Sequence, residues 1–313
     1  MEITVADAKN VFDRLTRAKS GVVYLRPCVD IVCYWTGSVF DRVDGVLDFY
    51  RKSLQGIGPS LTFFQTDSMG APAGLKGDSL DLLEYWLTGT KSRRDVYVLQ
   101  LESGASADEV SDRAFSFQAT EAGDDEASGF VRLMLPAQFG ASNAAQIVEL
   151  ATSLFQNIEF NFGQAGYALN WNEFGRFPEL ACETMGAIRK HYPGLDLSDP
   201  GSSQYVAEGS IKCVNWLTMI GAAGCEELGG VQALRKRFGA SEVVVHELPH
   251  GALVQAGPAP ELGDTNRRST APAYRTVGKV LAPLRDDDHP PYLTVDGADD
   301  DEATLEWLAR FDS

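Results

Sequence analysis

The sequence predicts an α+β fold, in which mixed, mostly antiparallel sheets pack against amphipathic helices. Segments rich in β-branched and aromatic residues alternate with segments in which apolar residues recur at helical spacing. Several of the predicted strands are joined by short connections, whereas neighbouring parallel strands would each need a long crossover. Both halves of the chain contain strands, an amphipathic helix and a further strand, so the pattern also allows two similar halves.

The first hundred residues are predicted to contain three helices and four strands. Pro27 separates two of the strands, and because proline has no N–H to give to a ladder, we expect an edge position or a bulge there. A surface loop is expected from Asp67 to Gly77, where Gly and Pro are frequent. Two helices follow the candidate caps Thr4 and Asp41, and the third spans Leu80–Leu87. The strands are Val22–Leu25, Val29–Trp35, Leu61–Phe64 and Asp95–Leu101.

The middle of the chain continues this alternation. Two strands, Phe115–Phe117 and Phe130–Leu135, are predicted on either side of a flexible acidic loop. The segment from Leu195 to Ser203 is rich in Gly, Pro, Ser and Asp and is predicted to be a linker. The other predicted elements are the helices Ala144–Gln156 and Pro178–His191 and the strands Ile158–Phe162 and Tyr167–Trp171.

We call the stretch from Ile211 to Arg285 the organising stretch, because we expect the rest of the chain to pack around it. Its apolar runs alternate with Gly, Pro and Asx residues at short intervals, as tight connections require. We expect the Ile211–Leu217 segment to be buried. A short helix is predicted after Gly229-Gly230, with Val231, Leu234 and Phe238 on one face. The strands Val243–Val245 and Ala252–Val254 follow it. A last helix begins at Pro272 and turns Tyr274, Val277, Leu281 and Leu284 inward.

The C-terminal tail is markedly acidic, and its last residues predict a short helix that docks back onto the protein. The apolar residues of that helix are Leu305, Trp307, Leu308 and Phe311. These observations divide the chain into an N-terminal α+β half at residues 1–120, a second α+β half at residues 121–285 and an acidic tail at residues 286–313.

The charge of the chain restricts its partners. The formal net charge is −17 and the isoelectric point is near 4.6. Free nucleic acid and anionic membranes are therefore poor partners, because binding phosphates requires Lys and Arg to displace counterions. A basic protein partner is favoured, and charge complementarity can raise association rates by about 10- to 1000-fold. The alternative is that the acidic surface only keeps the chain soluble.

The cysteines and the N-terminus both predict a reducing, cytoplasmic location. The five cysteines show no CxxC spacing, and most of them lie in apolar runs. Cys28 and Cys33 could form a thiol pair or half of a metal site, but their surroundings favour burial in a strand. The N-terminus lacks the basic and apolar regions of a signal peptide, and no apolar run approaches the ~20 residues of a membrane helix.

One segment, His246-Glu247-Leu248-Pro249-His250, matches the zinc hydrolase motif H-E-x-x-H letter for letter. The chemistry requires a helix, on which the two imidazoles share one face and the glutamate activates water. Here a strand precedes the motif, and Pro249 and Gly251 would break a helix. On a strand the two histidines would lie about 13 Å apart, too far for one metal ion. An accidental match across a turn is therefore favoured over a zinc-dependent hydrolase.

The remaining polar groups predict neither a catalytic site nor a cofactor or metal site. Asn215-Trp216 could stack a ligand, but a buried tryptophan beside a structural asparagine is the favoured interpretation. The carboxylate clusters lack the spacing of a calcium-binding EF-hand loop. They are either a solvated acidic surface or a docking surface for a basic protein, and residue chemistry alone leaves both interpretations open.

Over its C-terminal two-thirds the chain resembles the bacterial type VI secretion immunity family. The resemblance rests on an ordered series of short motifs, each of which is weak alone. The motifs are Leu133–Pro136, Gly166–Ala168, Ile211–Leu217, Leu228–Gly230, Gln255–Pro258, Gly263-Asp264, Tyr274-Arg275 and Leu281–Arg285. The family residues to which we assign structural roles are Asn215, Trp216, Gly229, Gly230, Gly257, Gly263, Asp264, Tyr274 and Arg275.

The resemblance implies a cytoplasmic antidote that binds and blocks a secreted antibacterial toxin, and in length and character the chain is similar to the antidote of a nuclease. It implies no active site and no cofactor. An adaptor or chaperone that loads the toxin without neutralising it is an alternative, and the oligomeric state is not predicted. The acidic residues that we expect to contact the toxin are Asp124, Asp125, Glu126, Asp286, Asp287, Asp288, Asp299, Asp300 and Asp301.

Overall fold

The computed structural model describes residues 6, 8–89, 94–121, 127–171, 176–197, 199–290, 294–295, 298–299 and 301–312. Within these ranges the α-helices are α1 Lys9–Leu15, α2 Val43–Ile57, α3 Leu82–Thr88, α4 Phe139–Ser142, α5 Ala144–Leu154, α6 Pro178–Arg189, α7 Pro200–Ser203, α8 Ala222–Glu227, α9 Val231–Phe238, α10 Pro272–Leu281 and α11 Asp301–Leu308. The strands are β1 Leu25–Thr36, β2 Leu61–Thr66, β3 Ala73–Gly74, β4 Val96–Ser103, β5 Ala114–Thr120, β6 Ser128–Pro136, β7 Phe162–Trp171, β8 Asp196–Leu197, β9 Leu217–Gly221, β10 Val243–Leu248, β11 Gly251–Ala256, β12 Thr294–Val295 and β13 Ala298–Asp299.

Eleven of these strands form one sheet, in the order β10-β11-β9-β7-β1-β6-β5-β4-β2-β3, with β8 beside β7. Its pairings are antiparallel except that between β7 and β8. The strands β12 and β13 pair separately. The predicted α+β class with mostly antiparallel pairing is therefore confirmed. Strands from before and after residue 120, such as β5 and β6, are neighbours in this sheet. The division into residues 1–120, 121–285 and 286–313 stays a prediction.

The first strand occupies the centre of the sheet and is buried on both faces. Its sequence is largely apolar and aromatic, as a strand between two packed layers requires. We predicted two strands separated at Pro27, but β1 continues through this residue. Pairing with β6 begins only at Cys28, whereas pairing with β7 begins at Leu25. One side of β1 is therefore a local edge at Pro27, and a residue without an N–H is accommodated there.

A second predicted interruption is also absent. Gly163 and Gly166 were expected to separate two strands, but β7 runs through both of them. Other groups pack directly against the backbone at these positions. A Cβ on Gly163 would lie 2.4 Å from the ring of Phe155, and one on Gly166 would lie 2.1 Å from the Oδ1 atom of Asn215. The glycines thus permit close packing on the strand rather than a turn.

The longer helices and several short elements, such as α9, β10 and β11, were predicted correctly, but the cap of α2 and some other short elements were not. Asp41 does not cap α2, since it lies in a preceding 3-10 turn that Ser38 caps. Thr4, the other expected cap, lies outside the described residues. The expected linker at residues 195–203 contains β8 and α7. None of the helices in the described ranges combines the length and the apolar character that a membrane-spanning helix requires.

The two faces of the sheet are covered in different ways. One face packs against α2 and α5, and the rings of Phe49 in α2 and Phe155, directly after α5, meet edge to face at 6.4 Å. The opposite face carries Asp30, which pairs in register with Gly166 of β7. Asn215 packs on that glycine, so the organising stretch covers this second face. Its Ile211–Leu217 segment is buried, as predicted.

Beneath the organising stretch lies a buried network of charged and polar side chains. The Arg132 guanidinium donates to Asp30 at 2.7 Å. The Lys212 ammonium donates to Asp196 at 3.0 Å, and both of these side chains are 0% exposed. Burial alone would lower the pKa of Lys212, but the Asp196 carboxylate outweighs it and the pKa is raised. Gln164 of β7 also donates to Asp196, so this carboxylate joins the sheet to the segment that covers it.

The C-terminal helix docks back onto the protein, as its apolar residues predicted. Trp307, Leu308 and Phe311 are buried. The Phe311 ring meets Tyr274 of α10 at 5.2 Å. The Arg310 guanidinium donates to the carbonyl oxygen of Pro193 at 2.7 Å, which ties the tail to the segment after α6. The tail is thus part of the folded core rather than an appendage.

His289 is buried where the organising stretch meets the tail. Its Nδ1 atom lies 2.7 Å from the carbonyl oxygen of Pro290, and its Nε2 atom lies 3.2 Å from the Ser203 hydroxyl. Nδ1–H is the donor to that carbonyl oxygen, and the Ser203 hydroxyl donates its own hydrogen to the carbonyl oxygen of Asp199 at 2.7 Å. Burial, and then the charge of Lys212, lower the pKa of His289 below its usual value. Asp286 and the carbonyl oxygen of Pro290 oppose this shift without reversing it.

We expect this histidine to make the stability of the protein depend on pH. The folded state binds fewer protons than the unfolded state near the unfolded pKa of about 6.5, so stability falls as the pH drops below that value. The change His289→Gln should reduce this dependence. Urea unfolding at about pH 5.5 and about pH 7.5 measures it, since this interval spans the ordinary histidine pKa. Equal loss of stability in the wild type and the variant would contradict the assignment.

Candidate protein-binding site

The family residues that the sequence singled out build turns and core contacts. Asn215 Oδ1 accepts from the N–H of Trp216 at 2.7 Å, and the indole N–H of Trp216 donates to the carbonyl oxygen of Gly257 at 3.1 Å. Trp216 is 0% exposed, which leaves no ring face for stacking a ligand. Tyr274 is equally buried, and its hydroxyl accepts from the N–H of Glu261 at 3.1 Å. The first contact shapes the local turn, and the Trp216 and Tyr274 side chains join separate segments of the organising stretch.

The other family residues shape the backbone. Asp264 Oδ1 accepts from the N–H of Asn266 at 2.9 Å, and Arg275 donates to the carbonyl oxygen of Thr270 at 3.3 Å. A positive φ, which glycine adopts without strain, occurs at each of the family glycines. These are Gly229, Gly230, Gly257 and Gly263.

The segment that matches the zinc motif forms a hairpin. His246 lies in β10, and His250 lies in the turn between β10 and β11. His246 Nε2 is 3.1 Å from Gln255 Oε1, its neighbour across the hairpin. The segment is therefore a strand and turn, as predicted, and lacks the helix that the zinc chemistry requires. Within the described ranges, no three His, Cys, Asp or Glu side chains come together to hold a metal ion.

The two cysteines of the first strand do not form a thiol pair. Cys28 and Cys33 are both buried in β1 and belong to different apolar clusters. They are five positions apart on one strand, so their side chains point to opposite faces of the sheet. Burial raises the pKa of both thiols, which keeps them protonated and unreactive.

One end of the sheet gathers polar segments from several parts of the chain. The strands β1, β5 and β9 end there, and β6, β7 and β11 begin there, because antiparallel neighbours run in opposite directions. The start of α2 and the turn that carries His250 lie at the same end. The segments that meet are residues 36–45, 157–161, 206–209, 221–223 and 249–251.

Two adjoining cavities, of about 100 and 300 Å³, open at this end of the sheet. Arg42, Glu159 and His250 line both of them, and Trp35 and Phe160 add aromatic surface to the smaller one. We name the pair the acidic cleft, because its lining contains four carboxylates and one guanidinium. The four carboxylates are those of Asp41, Asp44, Glu159 and Glu208.

The walls of the acidic cleft are held by close backbone contacts. A Cβ on Gly45, in the first turn of α2, would lie 2.3 Å from the carbonyl oxygen of Asn157. Asn161 Nδ2 donates to the carbonyl oxygens of Val206 and Ala207, both at 3.0 Å. Asn161 Oδ1 also accepts from the N–H of Gly209 at 2.8 Å. This one buried side chain therefore fixes the loop that carries the exposed Glu208.

Arg42 is the cationic group of the acidic cleft. Burial lowers its pKa, and the charges of Glu159 and Asp41 offset part of this effect. Its guanidinium donates to the carbonyl oxygen of Ser38 and lies 6.0 Å from the Trp35 ring centroid. The Nε atom is buried and has no hydrogen-bond acceptor within the part of the chain that the structure describes. The lining of the cleft therefore sets one cation against four carboxylates.

One member of a predicted acidic cluster, Asp286, adjoins the acidic cleft, together with two residues that were not predicted as toxin contacts. Glu121 accepts from the N–H of Val39 at 2.8 Å. The carbonyl oxygen of Ala127 accepts from the N–H of Gly37 at 2.6 Å. Asp286 Oδ2 accepts from the N–H of Ala207 at 3.1 Å, next to Glu208.

The remaining predicted toxin contacts are placed less fully. Asp287 is exposed and lies 3.4 Å from Arg285, and the Asp288 N–H donates to Asp286 at 2.9 Å. Asp301 begins α11, beside α6 and not at the cleft. The other predicted contacts, apart from the backbone of Asp299 in β13, lie outside the described residues. They are Asp124, Asp125, Glu126 and Asp300.

A larger groove, of about 420 Å³, lies at the opposite end of β1. Its charged lining is mixed, with three basic and two acidic side chains, so it offers no net negative charge. The charged residues are Lys9, Arg17, Arg26, Asp13 and Asp112. Size alone would favour this groove, but complementarity to a basic partner favours the acidic cleft.

The chain is similar to known proteins at the level of family and of fold. A family model described as type VI immunity for VRR-NUC, named TsiV, matches residues 43–311. The fold is similar to that of the Pseudomonas aeruginosa T6SS protein PA0821, with a TM-score of 0.79 and 17% sequence identity. That alignment covers 98% of this chain and 90% of the other. No curated protein matches the chain in sequence.

Proposed function

The chain belongs to the family of type VI immunity proteins for VRR-NUC, and from this premise we propose that it binds a VRR-NUC effector nuclease and neutralises it by occlusion. The family match carries the proposal. The resemblance drawn from the sequence motifs pointed to the same family. The protein acts in the cytoplasm, where an injected or self-made nuclease would reach the DNA.

The charge of the chain supports a nuclease as the partner. A nuclease must present positive charge to hold phosphates. A protein with a net charge of −17 can cover that surface, either as a mimic of the phosphates or from beside the active site. Long-range attraction then speeds association, while the desolvated centre of the interface determines how slowly the complex dissociates.

No bond-making by this chain is needed for such protection. Protection at nanomolar affinity corresponds to about −12 kcal/mol. A standard interface of about 1,600 Å² in total is large enough to contain the contacts that this requires. The zinc hydrolase alternative lacks its helix, since the motif forms the hairpin of β10 and β11.

The test is co-expression with the VRR-NUC effector encoded beside this gene. We expect growth to stop when the effector is expressed alone and to continue when this chain is expressed with it. The purified chain should also stop the purified nuclease from cutting plasmid DNA at equimolar concentration. A catalytically inactive effector controls for toxicity that does not depend on cutting.

Two results would contradict the proposal. If the effector still kills in the presence of this chain, neutralisation is wrong. If the purified complex forms but still cuts DNA, the chain is an adaptor or chaperone that loads the effector. An unrelated protein of similar negative charge should give no protection, because specific occlusion requires a complementary shape as well as charge.

A further inference from the structure

We propose that the acidic cleft is the part of this protein that receives a basic side chain of the effector, and that a lysine or arginine enters between Glu159 and Glu208. This inference rests on the proposed function, because the effector is the partner that supplies the side chain. It assigns a contact face, which the family match does not.

The chemistry of the lining selects a cation. Glu159 and Glu208 are exposed and line the same cavity, with no ion pair to either of them among the described contacts. Asp41 and Asp44 line the adjoining cavity and add to the negative potential. An ammonium or guanidinium group offers several donors at once, and two carboxylates can accept them with charge-assisted hydrogen bonds. An anion would meet four carboxylates against Arg42 alone.

Arg42 does not cancel the charge of the cleft. It lines both cavities together with Glu159 and is the cation among the lining residues. Its guanidinium donates to the carbonyl oxygen of Ser38. The four carboxylates outnumber this one cation, so the lining keeps a net negative charge that attracts a lysine or arginine.

The cleft is preorganised, which favours slow dissociation. Gly45 packs closely against the backbone of Asn157, and a Cβ on Gly221 would lie 2.4 Å from the carbonyl oxygen of Phe160. These backbone contacts and the hydrogen bonds of Asn161 fix three walls before a partner arrives. Little conformational entropy is then lost on binding.

The test is the double change Glu159→Gln and Glu208→Gln. Both side chains are exposed, so the variant should fold normally, and thermal unfolding checks this. The probe is the purified VRR-NUC domain of the neighbouring effector. Because truncating one side of a desolvated charge pair mainly raises the dissociation rate, we expect Kd to rise by about 30-fold or more. Surface plasmon resonance at low and high salt gives the association and dissociation rates.

A matched control removes two charges elsewhere. Glu179 and Glu183 are exposed on α6, which packs at the opposite end of β7 from the cleft. The double change Glu179→Gln and Glu183→Gln alters the net charge equally. It should slow association slightly through the long-range field and leave the dissociation rate unchanged.

The outcomes separate the two proposals. A large rise in the dissociation rate for the cleft variant alone supports the assignment. Tight binding by the cleft variant, or an equal loss in both variants, overturns the assignment and leaves the proposed function standing. Absence of binding by the wild-type protein overturns the proposed function, and the assignment with it.

Discussion

The change Lys212→Met is expected to destabilise the protein by about 3–5 kcal/mol, because it leaves the Asp196 carboxylate buried without its main cation. The two side chains are 0% exposed and 3.0 Å apart. Arg310 remains 3.9 Å from Asp196, too far to donate a full hydrogen bond in place of the ammonium. Urea unfolding at neutral pH measures the loss. The methionine has a similar length, so lost volume contributes little.

Two further variants identify the cause of this loss. Lys236→Met removes an exposed lysine from α9 and should change stability by no more than about 0.5 kcal/mol. The double change Lys212→Met and Asp196→Asn removes both charges and should recover part of the loss, because an unpaired buried charge is the costly state. If the free energy of unfolding of the Lys212→Met variant lay within about 1 kcal/mol of the wild-type value, the buried-pair interpretation would be wrong.

The sequence predicted the fold class and most long elements because their signals are local. The helix α10 repeats apolar residues at helical spacing and begins with a proline, which fits its first turn. The predicted interruptions at Pro27 and at the glycines of β7 were wrong for a tertiary reason. A local edge accommodates the proline, and a ring and an amide pack against the glycines. The short elements β8 and α8 carry no periodic signal at all.

The candidate site was harder to predict than the fold. The acidic runs are visible in the sequence, and Asp286, a member of one of them, accepts from the N–H of Ala207 beside the acidic cleft. The lining residues Arg42, Glu159 and Glu208 are separated by many positions, and only the antiparallel register brings them to one end of the sheet. His250 was noticed for a zinc motif, although its place in the structure is the cleft wall. One usable signal was missed, namely Asn161, a polar residue between aromatic neighbours that fixes the Glu208 loop.

The change Phe311→Ala is expected to cost about 3–5 kcal/mol, since the ring is buried and its removal leaves a cavity against α10. The ring meets Tyr274 at 5.2 Å, and a Cβ on Gly278 would lie 2.2 Å from the Phe311 carbonyl oxygen, so the contact surface cannot easily close over the gap. Thermal and urea unfolding measure the loss. Tyr205→Ala, which removes a ring that is 53% exposed, is the matched control and should be nearly neutral. If Phe311→Ala were equally neutral, the tail would contribute nothing to the core, and the docking seen for α11 would be wrong.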